Sequence, residues 1–523
     1  MNRPLPYLHP FLFASYPVLA LFAANSGQIE ASAVLRSWLF SLVLAGVMLV
    51  LFRRLSKSAE RAALLASLTL VVFFTYGHLY AALKQQGPAF ADLVRHRYFL
   101  PLVLLLLAAA LWQIERSHSP GRLQRLFTAA GILLIAQPVL AYMRFEMEAA
   151  QLARGVSAVA ADCTLPRDTG ASPPDVYLII MDAYERDDVL LEMHGFDNTP
   201  FIRSLEVLGF YVARGSLSNY RHTEMSLSSL LNLDYIQHLP GAYAEDSDNV
   251  LGLVELIRHS RLRGELECLG YSTVAVETGV VWTEWRDADY FISRDAGVLH
   301  ELQFLGGLTR FESLLLRTTL LRAFFDLSTR LLAADQALSN DSLDQHRERV
   351  LYEFDELNRI PSLPGPKLVF VHILSPHPPF VFGPNGEAVN HAEFETVSGG
   401  ESRLLSAYAD QVQFLNARLL EAVHTIQSGS PRPPVVIIQG DHGWADRSPE
   451  DKHAILNAYY FPDGDYLALY PTISPVNSFR VVLNQYFGGG FELLEDASYF
   501  STGEDIFQFE LVANSWRMAE TDQ

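Results

Sequence analysis

Residues 435–443 have the sequence VVIIQGDHG, which joins an apolar run of strand length to an aspartate and a histidine. The stretch at 174–182, PDVYLIIMD, has the same design and ends in Asp182. Short apolar runs of this kind are typical of strands that are buried on both faces of a parallel sheet. Two further runs, Thr273–Val276 and Leu368–Leu374, share this character, and helical patterns lie between the runs. The alternation predicts an α/β domain, a largely parallel sheet sandwiched by helices.

The first 150 residues differ from the rest of the 523-residue chain in charge and hydropathy. They hold 13 Lys and Arg against 6 Asp and Glu, a net charge of +7, whereas the other 373 residues carry 26 against 53, a net charge of −27. Five apolar stretches lie in this basic part: Tyr7–Ser26, Val34–Phe52, Ala62–Leu83, Phe99–Ile114 and Leu126–Tyr142. Crossing the hydrocarbon of a bilayer takes about 20 apolar residues. We therefore predict a transmembrane domain with five helices, of which the last two are slightly short.

The basic residues of the short loops predict the orientation of this domain. The loops at 53–61 and 116–125 carry four and three Lys or Arg, which is typical of cytoplasmic loops. These loops place the amino terminus in the cytoplasm. Five crossings then bring residue 150 to the opposite side of the membrane, so the acidic part faces the periplasm or the exterior. We predict a multi-pass protein of the bacterial cytoplasmic (inner) membrane. The nearly charge-free spans favour an anchor over a transporter, and the acidic balance argues against nucleic acid as a partner.

The composition divides the chain into three parts. We predict the transmembrane domain over 1–144, a juxtamembrane helix (Phe145–Ala161) and linker within 145–174, and a catalytic domain over 175–515. An amphipathic stretch at Phe304–Leu332 fits a helix on the bilayer surface or, as we prefer, a helix packed on the α/β domain. Cys163 and Cys268 both fall outside the spans, and the sequence leaves open whether they form a disulfide.

Ionisable side chains follow two of the predicted strands. Asp182 comes directly after the first strand, and Asp441 and His442 follow the run at 435–439. Because parallel strands end at one edge of a sheet, and ligands bind beyond that edge, these side chains are expected to lie together. Carboxylates with an imidazole form a plausible site for a divalent metal. A single aspartate at a strand end can instead cap the next helix.

A hydroxyl residue suited to nucleophilic chemistry lies between the first two predicted strands. In the stretch RHTEMSLSSLL at 221–231, a helix that begins near Thr223 would place its hydroxyl at the amino end, where an anion such as phosphate is favoured. A metal beside this hydroxyl would lower its pKa and make it a nucleophile. The alternative is that Thr223 only caps the helix.

Four stretches in order, behind five predicted spans, resemble the alkaline phosphatase/sulfatase superfamily, and more narrowly membrane-anchored sulfatase-like proteins such as lipoteichoic acid synthase and phosphoethanolamine transferases. The stretches are Pro174–Asp182, Thr223–Leu231, Tyr408–Leu419 and Ile437–Gly443. The resemblance implies one divalent metal, zinc or manganese, with magnesium or calcium as alternatives. It also implies that the metal is held by Asp182, Thr223, Asp441 and His442, and that Thr223 is the catalytic nucleophile.

Two departures from sulfatases proper favour the phosphotransferase branch of this superfamily. Threonine cannot become formylglycine, and Ala183 stands where sulfatases carry a second aspartate. The resemblance places His377 in a loop over the substrate, and the two prolines that follow it would stiffen this loop. It also suggests His453 as a ligand of substrate or of a second metal. His222 fits a substrate contact or a surface role equally well, and His372, within a strand, is interpreted as structural.

The predicted activity is a two-step phosphotransfer. Thr223 attacks a phosphodiester donor, a membrane lipid, and an envelope glycan or lipid then accepts the head group, of phosphoethanolamine or phosphoglycerol type. One alternative is a membrane-anchored hydrolase, either a phosphodiesterase or an atypical sulfatase. A second is an inactive scaffold in envelope glycan assembly. The oligomeric state stays open.

Overall fold

The computed structural model describes most of the chain, in two compact units. The described residues are 7–26, 29, 31–56, 58–86, 94–160, 163–166, 173–239, 250–294, 310–328, 334–389, 400–444, 447–502 and 506–516. One unit comprises residues 1–147 and 295–342, and the other comprises residues 148–294 and 343–523.

The helices are numbered in chain order. They are α1 (Leu8–Ala24), α2 (Leu35–Leu55), α3 (Ala59–Lys84), α4 (His96–Arg116), α5 (Pro120–Ala160), α6 (Asp187–His194), α7 (Thr199–Val207), α8 (Thr223–Asn232), α9 (Leu251–Arg258), α10 (Arg261–Cys268), α11 (Arg310–Thr318), α12 (Leu321–Ser328), α13 (Ala334–Leu357), α14 (Gly400–Gly429), α15 (Pro449–His453) and α16 (Pro475–Phe487). The strands are β1 (Val176–Met181), β2 (Tyr211–Val212), β3 (Ser272–Val276), β4 (Tyr290–Ile292), β5 (Lys367–Ile373), β6 (Val435–Gly440), β7 (Asn457–Tyr460), β8 (Ser498–Phe500) and β9 (Glu510–Val512).

Each of the five predicted apolar stretches forms a helix, α1 to α5. Among the described residues, α2 to α5 are long and apolar enough to cross a membrane, whereas α1 has 17 residues and a length of about 26 Å. The residues predicted as a juxtamembrane helix, Phe145–Ala161, belong to α5 up to Ala160 and do not form a separate element. Residues 139–154 contain neither proline nor glycine, so nothing in this segment ends the helix.

The amphipathic stretch packs against the apolar helices of the first unit, which corrects the preference for the α/β domain. Phe311 of α11 is buried against Val18 and Phe22 of α1. In α12, Ala323 lies in a cluster with aromatic residues of α3 and α4. The Glu312 carboxylate pairs with the Arg36 guanidinium. An amphipathic pattern shows that one face is covered but does not tell which surface covers it.

The second unit is built on a seven-stranded sheet of mostly parallel strands. The strand order is β2-β7-β6-β1-β5-β3-β4, in which β1, β3, β4, β5 and β6 are parallel and β7 is antiparallel to β6. The four strands predicted from the sequence are β1, β3, β5 and β6. β1 lies in the centre, and all six of its side chains are buried, as its continuous apolar sequence requires.

Helices cover both faces of this sheet, so the α/β sandwich is confirmed. Alternate residues of β1 point into two separate cores, since successive side chains of a strand face opposite ways. Tyr177, Ile179 and Met181 pack in the core under α13 and α14. Val176 and Leu178 pack in the opposite core, under α8 and α16.

A disulfide joins Cys163, just after α5, to Cys268 at the end of α10. The two Cα atoms are 6.2 Å apart, and the cysteines are separated by 105 residues. The bond fixes the entry to the second unit, where Glu265 Oε2 also accepts hydrogen bonds from the backbone N–H groups of Thr164 and Leu165.

Candidate active site

The carboxyl ends of β1 and β6 bring the predicted metal ligands together. Met181 pairs with Gly440, so the two strands end at the same level of the sheet. Asp182 follows β1, while Asp441 and His442 follow β6, and all three are buried. One ligand atom from each residue lies within 4.8 Å of the others, and this is the one such cluster of three in the described residues.

The His442 Nε2 atom is the centre of this cluster. It lies 3.7 Å from Asp182 Oδ1 and 3.5 Å from Asp441 Oδ2. The Thr223 Oγ1 atom is 3.2 Å away. In a tetrahedral site with bonds of about 2.0–2.1 Å, ligand atoms lie about 3.3–3.4 Å apart. The three distances from His442 Nε2 are therefore close to those between ligands of a small divalent ion.

The hydrogen bonds of these residues indicate that the cluster faces a cation. His442 Nδ1 lies 3.0 Å from the Gly443 carbonyl oxygen, which can only accept, so Nδ1 carries the hydrogen and the neutral ring has its lone pair on Nε2. Asp182 Oδ1 and Asp441 Oδ2 are buried without a hydrogen-bond partner among the described residues. Buried carboxylate oxygens that face a lone pair are costly unless a cation joins them, so these residues fit a metal ion.

The electrostatics of the two aspartates lead to the same conclusion. Burial raises the pKa of Asp182 well above its ordinary value, and the Asp441 and Glu224 carboxylates raise it further. Burial also pushes up the pKa of Asp441, but His442, His372 and the hydrogen bond from the Ala183 N–H outweigh it, so this pKa is lowered. Without a cation, the site thus favours a proton on Asp182.

Thr223 is the first residue of α8, as the sequence predicts. The preceding residue, His222, is extended, and its carbonyl oxygen accepts the N–H groups of Met225 and Ser226 to begin the helix. The Ser226 hydroxyl donates to the Asp441 carbonyl oxygen over 2.7 Å, which ties α8 to the ligand loop. The Thr223 hydroxyl therefore lies both at a helix amino terminus and beside His442.

The other three predicted site residues lie in different surroundings. His377 is exposed, with its N–H bonded to the Asp182 carbonyl oxygen and its ring centre 6.4 Å from that of His442. His222 is half-buried, its Nε2 has no partner among the described residues, and burial lowers its pKa to about 4. His453 is fully buried, with ring nitrogens 2.6 Å and 3.2 Å from the carbonyl oxygens of Pro449 and Tyr499.

Some neighbours of the cluster were not selected from the sequence. His372, interpreted as structural, has its Nε2 3.9 Å from Asp182 Oδ2, and burial lowers its pKa to about 4. Lys452 donates to the Trp444 carbonyl oxygen, and its charge lowers the pKa of both Asp182 and His222. Arg221 donates to the Ser501 carbonyl oxygen. Arg221 lies two residues before Thr223 in the sequence, and this closeness to the proposed nucleophile is the sequence feature that could have indicated a basic group at the site.

Two glycines leave the room that the ligand loop needs. A Cβ on Gly440 would lie 2.3 Å from the Tyr184 carbonyl oxygen, and one on Gly443 would lie 2.7 Å from the Asp451 carbonyl oxygen. Real Cβ atoms essentially never come so close to backbone. The glycines on both sides of Asp441 and His442 therefore allow the close packing that brings the ligands together.

Comparison with known proteins returns structures but no sequence family. No family model matches the chain, and no curated protein does. The C-terminal periplasmic domain of EcEptC from Escherichia coli overlaps 69% of this chain and 98% of its own, with 12% identity and a TM-score of 0.42. Lipooligosaccharide phosphoethanolamine transferase A from Neisseria meningitidis overlaps 91% and 95%, with 12% identity and a TM-score of 0.39.

A phosphonate monoester hydrolase of Agrobacterium radiobacter is also similar, over 62% of this chain and 80% of its own, with 13% identity and a TM-score of 0.39. All three belong to the superfamily that the sequence motifs resemble.

Proposed function

We propose that this chain is a metal-dependent phosphotransferase that moves a phospho-head-group from a membrane lipid to an envelope glycan or lipid through a covalent adduct on Thr223. The observation that carries the proposal is the 3.2 Å approach of Thr223 Oγ1 to His442 Nε2, in a cluster with two buried carboxylates. The metal, zinc or manganese, would be held by Asp182, Thr223, Asp441 and His442. When bound, it would lower the pKa of a coordinated hydroxyl and stabilise negative charge on the phosphoryl oxygens.

The residues around Thr223 suit an anionic reacting group. The amino end of α8 favours negative charge there. Lys452 lies near enough to Asp182 and His222 to alter their pKa values, and the Arg221 guanidinium is held by Ser501 two residues before the nucleophile. These basic groups would hold the non-bridging oxygens of a phosphodiester.

The first step exchanges one phosphorus–oxygen bond for another. Thr223 Oγ bonds to phosphorus, the bond from phosphorus to the glyceride oxygen breaks, and the proton lost by Thr223 finally reaches that oxygen as diacylglycerol leaves. His377 suits the transfer of this proton because it lies at the exposed rim. Its Nδ1, 2.7 Å from the Pro378 carbonyl oxygen, carries a hydrogen, which leaves the lone pair on Nε2 to take up the Thr223 proton and pass it to the leaving oxygen. In the second step, an acceptor hydroxyl attacks the adduct, its oxygen bonds to phosphorus, and Thr223 Oγ is released and takes up the proton that the acceptor hydroxyl loses.

The choice of phosphate over sulfate rests on the residue types. Thr223 cannot form the formylglycine on which sulfatases depend, and Ala183 supplies no second strand-end carboxylate. The lipid donor is supported by the four helices of the same chain that are long and apolar enough to cross a membrane. A protein in the inner membrane with its α/β domain outside would meet lipid head groups at the surface.

The test is mass spectrometry of the Thr223 peptide. Full-length protein in detergent, loaded with Zn²⁺, is incubated with a phosphoethanolamine or phosphoglycerol lipid and quenched in acid. We expect a mass addition of the phospho-head-group on Thr223. Thr223→Val, which keeps the shape of the side chain without the hydroxyl, should show neither adduct nor turnover. Turnover by Thr223→Val would contradict the nucleophile, and release of free phosphoethanolamine or glycerol phosphate without an acceptor would show a hydrolase.

A further inference from the structure

Helix α14 contains the one sequence match, Tyr408–Leu419, that supplies no group to the proposed chemistry. Its polar residues Tyr408 and Gln411 are fully buried, and Asn416 is nearly so. The three lie on one face of the helix, which packs into the core above β1. Each forms hydrogen bonds with the loops at the carboxyl ends of β1 and β5, or with the residues packed on them.

Tyr408 holds the turn that carries Asp182. Its hydroxyl donates to the Ala183 carbonyl oxygen over 2.7 Å and accepts the Glu185 N–H over 3.1 Å. Ala183 has a φ of +60°, a conformation that residues with a Cβ rarely adopt. Its own N–H donates to Asp441 Oδ1 over 2.9 Å. Ala183, directly after Asp182, is therefore held between Tyr408 and a metal ligand through both of its backbone polar groups.

The ring of Tyr408 also contacts the loop of His442. It stacks on the Trp444 ring, with centres 5.3 Å apart and planes 14° from parallel. The backbone N–H of Trp444 donates to Glu185 Oε1, so the His442 loop is joined to the turn that follows Asp182. Tyr408 thus touches both segments that supply the metal ligands.

Gln411 holds the neighbouring loop, which carries His377. Its Oε1 accepts the N–H groups of Val381 and Phe382, and its Nε2 donates to the Pro376 carbonyl oxygen. Asn416 completes the set through the Tyr184 hydroxyl, which donates to its Oδ1. The helix therefore joins the metal turn and the His377 loop through separate side chains.

We propose that Tyr408 is a positioning residue that holds Asp182 opposite Asp441 and His442 at the metal centre. Gln411 positions the His377 loop in the same way. The inference rests on the proposed function, because it assigns roles toward the metal and the reaction assumed there. Outer residues that fix the orientation of metal ligands typically change metal affinity 10- to 100-fold when they are lost.

The test compares Zn²⁺ affinity in two tyrosine variants of the full-length protein in detergent. Tyr408→Phe keeps the stacked ring and removes the hydroxyl. The matched control is Tyr271→Phe, because the Tyr271 hydroxyl donates to the Pro174 carbonyl oxygen at the opposite end of β1. By isothermal titration with Zn²⁺ alone, we expect Tyr408→Phe to bind about 10- to 100-fold more weakly than wild type, and Tyr271→Phe to bind like wild type.

Wild-type Zn²⁺ affinity in folded Tyr408→Phe would overturn the role of Tyr408. If this variant does not fold, Trp444→Leu tests the other contact of Tyr408, since it removes the ring on which Tyr408 stacks beside His442. Weaker Zn²⁺ binding supports the role, and unchanged binding overturns it. Gln411→Met should keep the wild-type Zn²⁺ affinity and lose turnover. Wild-type turnover in this variant would overturn the role of Gln411 in positioning the His377 loop. Failure of the wild-type protein to bind Zn²⁺ would contradict the proposed function itself, which is a distinct result.

Discussion

The Ser226 hydroxyl donates to the backbone carbonyl oxygen of Asp441 over 2.7 Å, and this bond joins the helix of the proposed nucleophile to the loop of the proposed metal ligands. Ser226 lies one turn after Thr223 in α8 and is buried. The distance from Thr223 Oγ1 to His442 Nε2 therefore depends on a contact that contains no metal ligand side chain. A small shift of reacting groups can cost a large factor in rate.

We expect Ser226→Ala to lower kcat about 10- to 100-fold, because Thr223 is then held less firmly against the metal centre. Zn²⁺ affinity should change little, since both aspartates and His442 remain in place. The control is Ser228→Ala in the same helix, where the lost hydrogen bond goes to the Leu253 carbonyl oxygen. Steady-state kinetics and Zn²⁺ titration of both variants check the prediction, and equal kcat losses in the two would contradict it.

A second prediction concerns Asp182 in the metal-free protein. Burial and the Asp441 carboxylate raise the Asp182 pKa, so at neutral pH the charged form is less stable in the folded state than in the unfolded state. Asp182→Asn puts a neutral amide in place of the ionisable carboxyl and so removes this cost. We therefore expect the variant, stripped of metal with a chelator, to unfold at a higher temperature than stripped wild type, and to bind Zn²⁺ far more weakly.

The same shift has a defined pH dependence. A carboxyl whose folded pKa is raised binds more protons when folded, so its destabilising effect disappears as the pH falls from neutral toward the ordinary aspartate value of about 3.9. Buried histidines with a pKa of about 4, such as His222 and His372, act in the opposite direction between about pH 6.5 and 4. His222 is common to both proteins and cancels in the difference, and His372, which lies 3.9 Å from Asp182 Oδ2, has no effect above about pH 6.5.

The measurement is thermal unfolding of both metal-free proteins between pH 7.5 and 5. We expect the stability advantage of Asp182→Asn to be largest at pH 7.5 and to shrink on acidification. An advantage that stayed constant across this range would show that Asp182 does not titrate there, and a variant less stable at every pH would contradict the repulsion between the carboxylates.

The sequence predicts those strands whose own residues form a long apolar run. β1, β3, β5 and β6 are continuous apolar runs because both faces of these strands are buried, and all four were predicted. β4 and β7 were not, since they have three and four residues and lack a long apolar run. Pairing at the sheet edge, which lies outside the local sequence, defines them.

The candidate site shows the same division. Asp182, Asp441 and His442 were expected to meet because parallel strands end at one edge, and their atoms do lie together. The position of His372 depends on register, since it pairs with Ile180 near the end of β1, and register is not visible in the sequence. The sequence shows Tyr408–Leu419 of α14 as a motif. The residues that its polar side chains contact cannot be predicted from the sequence, because they are distant in the chain.

A third prediction concerns the disulfide between Cys163 and Cys268. A cross-link that closes a loop of about 100 residues is expected to stabilise the folded state by roughly 2–5 kcal/mol, mainly by restricting the unfolded chain. We expect Cys163→Ser to lower the free energy of unfolding by that amount. Cys268→Ser and the double variant should show the same loss, because each removes the same bond. Denaturant titration checks this, and additive losses would show that the thiols contribute separately.

The last prediction uses the backbone at the end of β6. A Cβ on Gly440 would lie 2.3 Å from the Tyr184 carbonyl oxygen and 3.3 Å from the Ile455 Cβ, and neither neighbour is the free end of a flexible side chain. Gly440→Ala must therefore push β6 away from the turn that follows Asp182. We expect the variant to lose about 1–3 kcal/mol of stability and to bind Zn²⁺ at least about tenfold more weakly, because the strands move apart at the ligand end.

The matched control for this change is Gly490→Ala, where a Cβ would meet no atom within 4 Å. Denaturant unfolding and Zn²⁺ titration of both variants separate a local steric effect from a general effect of replacing glycine. We expect Gly490→Ala to match wild type in both measurements. If Gly440→Ala bound Zn²⁺ as tightly as this control, the spacing of β6 and β1 would not determine the geometry of the ligands.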